Sequence, residues 1–233
     1  MATITLSPDP RPEISSIDGI TIRQATETFS DIRDGVGTGA FNGNTQIYVV
    51  HLQSSGATTF NNLRRGIFTF DGSAIPAGAT FTQAVIQLYV SNKGLSGYTA
   101  GNSSFDITEA ELASNTSLVA SDYERNKDFT TAFATLAYTG VTTGQYNTWT
   151  LNASGLAYLN AKTDRNFKFC TKTGWDRSDT SPATGGFVYY DVRMADAKDA
   201  TIPKLILTYE DTPTPTEKTR PIGGAIGYKR RHL

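Results

Sequence analysis

The sequence predicts an all-β fold, and three observations carry that prediction. Apolar and polar residues alternate with a period of two in many short runs, turn-forming dipeptides separate the runs, and helical periodicity is nearly absent. Many strands without a βαβ rhythm build a sandwich or a barrel.

Taken in order, residues 47–52 are apolar on both faces, as a strand covered on both sides would be. Phe68 and Phe70 share a face of residues 65–71. Ala84, Ile86, Leu88 and Val90 share a face of residues 83–91, with Gln87 opposite. Trp149 and Leu151 alternate with Thr148 and Thr150, and Phe167 and Phe169 alternate with Lys168 and Lys172. Residues 188–192 are again apolar on both faces, and Leu205, Leu207 and Tyr209 close the body. Asp34-Gly35, Asn42-Gly43, Asp71-Gly72, Lys93-Gly94 and Gly185-Gly186 mark turns between runs. Only residues 121–126 and 154–162 predict a helical turn or two.

Hydrophobic residues make up 38% of the 233, enough for one sizeable core. The sequence divides into an N-terminal extension (1–19), a β-body (20–211) and a tail (212–233). The tail starts with a Pro/Thr linker and ends basic. In it Lys218, Arg220, Lys229, Arg230 and Arg231 oppose only Glu217, so it carries net +4 and the rest net −5 within an overall −1. A body of that charge does not suit nucleic acid. The first residues carry no basic or apolar signal segment, and no window is apolar enough to span a membrane. Cys170 is the only cysteine, so no internal disulfide forms. Its strand sets it opposite Phe167 and Phe169, which predicts that Cys170→Ser changes stability little unless that face is buried as well.

No catalytic or cofactor motif emerges. Gly35-Val36-Gly37-Thr38-Gly39-Ala40 has dinucleotide-loop spacing, but it lies between Asp34 and a second strand and reads as a loop. His51, between Val50 and Leu52, reads as a satisfied packing residue, and no Gly-x-Ser-x-Gly elbow exists. One Cys and two distant His give no zinc set. Calcium is the metal that loop carboxylates could hold, through Asp31 and Asp34 or through Asp176 and Asp179. Tyr98, Tyr123, Tyr146 and Trp175 fall in loop-like stretches and are the candidate platform for sugar rings.

The segment Arg65-Gly66-Ile67-Phe68-Thr69-Phe70-Asp71-Gly72-Ser73-Ala74-Ile75-Pro76-Ala77-Gly78 followed by Ala84-Val85-Ile86-Gln87-Leu88-Tyr89-Val90 resembles DNRLRE-type jelly-roll domains. Residues 27–35, Trp149-Thr150-Leu151-Asn152 and Pro203-Lys204-Leu205-Ile206-Leu207-Thr208-Tyr209 extend the likeness over about residues 20–209. The resemblance implies a two-sheet antiparallel jelly-roll sandwich, used as a carbohydrate-binding or adhesive module in secreted bacterial proteins and on phage particles. Without a signal segment and with a basic tail, the expectation is a non-catalytic virion structural protein, a head decoration or tail-surface component. Such a protein assembles in the host cytoplasm as a homo-oligomer or part of a larger assembly. Its tail would attach it, with Ile222, Ile226, Tyr228, Lys229, Arg230 and Arg231 meeting other virion subunits. The alternative is a carbohydrate-binding module of a bacterial surface or secreted protein, extracellular if a signal was removed. A cluster of coplanar exposed aromatic rings would favour that alternative.

Overall fold

The computed structural model describes residues 1–100, 103–183 and 185–210. In chain order they form β1 (Ala2–Leu6), β2 (Asp18–Arg23), α1 (Phe29–Asp34), β3 (Gly39–Phe41), β4 (Gln46–Ser54), β5 (Phe60–Asp71) and β6 (Thr80–Ser96). Then follow β7 (Phe105–Glu109), α2 (Asp122–Arg125), β8 (Ala134–Leu136), β9 (Gln145–Thr150), α3 (Ala153–Ala161), β10 (Asn166–Thr173), α4 (Gly174–Ser178), β11 (Phe187–Arg193) and β12 (Lys204–Glu210). The fold is all-β, a strongly curled antiparallel sheet.

Strands run β1-β12-β6-β11-β4-β5-β10-β7-β8, with β9 added beside β6, β2 beside β5, and β3 beside β2. The two longest strands change partner part-way. Along one edge, β6 pairs with β12 and then with β11, while β9 takes its other edge. Likewise β5 pairs with β4 and then with β10 along one edge, opposite β2. The fork between β4 and β10 lies at Gly66. A Cβ there would sit 2.4 Å from Thr171 Oγ1 and 2.6 Å from Val49 Cβ, so only glycine lets the two strands part around β5. Thr171 Oγ1 fills the fork, donating to the Val49 carbonyl (3.0 Å) and accepting from the Gly66 N–H (3.1 Å).

The curl wraps one large apolar core. Trp149 on β9 reaches across it to donate Nε1–H to the Phe105 carbonyl on β7 (2.9 Å), and Phe105 also packs on Tyr190. The period-two residues Phe68, Phe70, Ile86, Leu88, Phe167, Phe169, Leu205 and Leu207 are all fully buried there, as alternation predicts.

Three expectations change. Residues 1–19 do not stand ahead of the domain: β1 pairs with β12 along all five of its residues, and β2 begins at Asp18. Cys170 is not on an open face either. A second apolar cluster of Ile17, Ile67, Ala110, Leu112, Leu118 and Cys170 covers the outer side of β5 and β10. The thiol is therefore a core group, and burial pushes it up to about 11. Helices α2 and α3 lie where periodicity places them, whereas α1 and α4 are too short to show a helical period. Instead each is started by a threonine cap, Thr28 accepting from the Asp31 N–H and Thr173 from the Asp176 N–H. Among the described residues no helix is long and apolar enough to cross a membrane.

Candidate functional site

Strand β11 lies between β4 and β6, and both neighbours carry one extra residue at the same level. Tyr190 faces Val50 and Asp191 faces Tyr48, which leaves Val49 without a partner on β11. On the other side Asp191 faces Asn92 and Val192 faces Val90, which leaves Ser91 over. A bulge of this kind shifts side chains between faces. Val49 and Val50 both turn into the core, so Tyr48 and His51, three residues apart, share the outer face.

That face gathers an aromatic row. Phe187 and Tyr189, two residues apart on β11, have ring planes only 21° apart with centroids 6.0 Å apart. Tyr48 lies 4.6 Å from Tyr189 at 30°. All three rings are half-buried. Tyr189 leans across β6 over Gly94, its cross-strand partner, where a Cβ would come within 2.3 Å of its Cε1. Its hydroxyl accepts from Asn92 Nδ2 at 3.3 Å. Gly94, which the sequence marked as a turn, is a seat for this ring inside a strand.

Beside the rings lie polar groups with unmet hydrogen bonds. His51 is 8% exposed, packed edge-on against Tyr48 and Tyr189, and its Nδ1 has no partner. It does pack, as expected, but it is not satisfied. Burial, followed by the Arg64 charge, lowers its pKa to about 4, so the ring is neutral at neutral pH. Asp191 is 6% exposed; it accepts from Gln46 Nε2, and its Oδ1 has no partner. Burial raises its pKa against the opposing hydrogen bonds of Gln46 and Ser91 and the charges of Arg193 and Arg64. Arg64, cross-strand from His51, sets its guanidinium 5.6 Å from the Tyr48 ring centre. Gln46, Ile47, Tyr48, Arg64 and Asp191 line a shallow depression of about 290 Å³.

The expected aromatic platform is not assembled. Tyr98 and Trp175 are buried against each other at 4.9 Å, and Tyr123 is fully buried with its hydroxyl donating to the Ile32 carbonyl (2.6 Å). Tyr146 reaches the surface, but Lys204 covers its ring at 4.2 Å and its hydroxyl donates to the Ile202 carbonyl. These aromatics close the edges of the core, which is why loop position misplaced them. The row that does form lies in two strands that read as apolar throughout.

The proposed calcium pairs are also drawn elsewhere. Asp176 is fully buried in a two-pronged ion pair with Arg65, Oδ1 at 2.7 Å and Oδ2 at 2.9 Å. Asp34 pairs with Arg33, Asp179 lies 3.5 Å from Arg33 Nε, and Asp31 bonds the Thr28 hydroxyl at the cap of α1. Among the described residues no group of three or more His, Cys, Asp or Glu is arranged to hold a metal ion. The attachment residues Ile222, Ile226, Tyr228, Lys229, Arg230 and Arg231 lie outside the described residues. No protein-family model and no curated protein matches this chain.

Proposed function

We propose that the chain is a non-catalytic jelly-roll domain that binds glycans on the outer face of β4, β11 and β6. The observation that carries this reading is the stack of Phe187, Tyr189 and Tyr48, half-buried rings whose planes lie within 30° of their neighbours. A pyranose ring presents an apolar patch of C–H bonds that such rings cover, while orphaned polar groups beside them orient its hydroxyls. The resemblance of residues 20–209 to jelly-roll carbohydrate-binding modules supports the same reading.

Binding of a polysaccharide panel by affinity electrophoresis tests it. Tyr189→Ala is expected to weaken the best ligand about tenfold or more, and Gly94→Val to do the same by displacing the ring. Tyr146→Ala, on the other side of β6, should leave binding unchanged. Retention by no polysaccharide, or full binding by Tyr189→Ala, would sink the proposal.

The virion reading draws on the composition of residues 212–233. Deleting 212–233 should abolish co-sedimentation with the parent particle while glycan binding persists. Incorporation at normal occupancy without the tail would place attachment elsewhere.

A further inference from the structure

We infer that this face selects an uncharged sugar, one hydroxyl of which bridges Arg64 and Asp191. The inference rests on the glycan reading above and narrows it to a ligand class.

Two groups of opposite charge face one depression without meeting. Arg64 donates Nε–H to Asn62 Oδ1 at 3.3 Å and acts on Asp191 through space, but no ion pair joins them. Its guanidinium is half-buried and retains donors for a further acceptor. Asp191 Oδ1 is buried and has no donor in hydrogen-bond geometry, since the neighbouring Ser91 hydroxyl, which also acts on the carboxylate, donates to the Asp191 carbonyl (3.0 Å). A pair separated in this way is completed by a group that is donor and acceptor at once. A hydroxyl is such a group, accepting from an Arg64 N–H and donating to Asp191 Oδ1.

Charged sugars satisfy one partner at the expense of the other. A uronate carboxylate would pair with Arg64 and place its acceptors against the acceptor-only Asp191 carboxylate. A protonated amino sugar would pair with Asp191 and meet the Arg64 cation. The position of the depression beside Tyr48 lets one sugar use both the ring and the clamp.

The test is calorimetric titration of the full chain with hexasaccharides of equal length: neutral gluco-, manno- and galacto-configured chains, a galacturonate chain and a protonated glucosamine chain. At least one neutral hexamer is expected to bind about tenfold or more tighter than both charged ones. Asp191→Asn should narrow the margin against galacturonate about tenfold, and Arg64→Gln the margin against glucosamine, with thermal melts showing both variants folded. Galacturonate or glucosamine binding as tightly as the best neutral hexamer would overturn the inference. So would variants that leave both margins unchanged. In either case Tyr189→Ala still reports on the aromatic row, and binding lost only in that variant keeps the glycan reading while this one falls. If no hexamer of any charge binds, both fall.

Discussion

Replacing Asp176 by alanine is expected to cost about 3–5 kcal/mol of stability, the usual penalty for stranding a buried charge. Arg65 is fully buried in β5, at the fork where β4 and β10 part, and cannot rotate out to water. Its guanidinium spends its donors on both oxygens of Asp176, on the Tyr123 carbonyl (2.7 Å) and on the Arg33 carbonyl (2.9 Å), and it lies 4.2 Å from the Tyr123 ring centre. Two more cations crowd the same place. Arg33 donates to the Asp176 and Lys127 carbonyls (3.0 Å each), and Lys172 donates to the Asn126, Lys127 and Phe129 carbonyls. Burial alone would raise the Asp176 carboxyl, but the Arg65 charge and hydrogen bonds outweigh it and hold it below the usual range. Removing that carboxylate leaves three cations to share carbonyl dipoles and the more exposed Asp34 and Asp179. The network ties α1, α2 and α4 to the sheet, so its loss should loosen all three. The measurement is the urea midpoint with its slope. The double change Arg65→Met with Asp176→Leu should cost much less than the sum of the two single changes, since no charge is then left alone. A loss below about 1 kcal/mol in Asp176→Ala would mean that water reaches Arg65.

How much of this was legible in the sequence depends on how local each cause is. Alternation at Ile86–Leu88 or Phe167–Phe169 is a two-residue rule, and it located strands and inward faces correctly. The bulges at Val49 and Ser91 break the same rule, because an extra residue appears only when two strands are laid side by side. Straight alternation puts Tyr48 and His51 on opposite faces, and so the aromatic row was hidden inside runs that looked uniformly buried. Gly94 read as a turn for a similar reason: a glycine after Asn92 and Lys93 is a turn or a seat for a neighbour's ring, and only Tyr189 decides which. Arg65 and Asp176 stand 111 positions apart, a separation across which no spacing rule operates. Tyr98, Tyr123 and Trp175 misled because a loop aromatic that folds back over a core edge has the same local sequence as one that faces water.

Stability should fall by about 2 kcal/mol as pH rises from 6.5 to 8, and Asp18→Asn should abolish that fall. Asp18 opens β2, is 3% exposed, and accepts from the Ala195 N–H at 2.7 Å. Burial is the main cause of its shift. The Ala195 hydrogen bond opposes it, and the nearby charges of Asp196 and Glu13 add to it, raising the carboxyl from 3.8 to about 8. Between those two values the folded chain holds a proton that the unfolded chain has released. Stability therefore drops with rising pH by about 1.4 kcal/mol per unit, and levels off above the folded value. His51 acts in the opposite sense over a lower range. Its folded pKa of about 4 lies below the ordinary 6.5, so the unfolded chain holds the extra proton there and stability rises with pH across that interval. The two slopes oppose each other from about pH 4 to 6.5, and above 6.5 His51 no longer opposes the Asp18 slope. Cys170, at about 11, titrates beyond this window. The amide introduced by Asp18→Asn would keep an oxygen for the Ala195 N–H while having no proton to lose. The Asp18→Asn chain should therefore match the parent near pH 6.5 better than at pH 8, where it should be the more stable of the two. Urea unfolding at pH 4, 5, 6.5, 7 and 8 resolves the profile. A parent curve that is flat from 6.5 to 8, or a variant that keeps the parent's slope, would show that Asp18 is ionised in the folded protein.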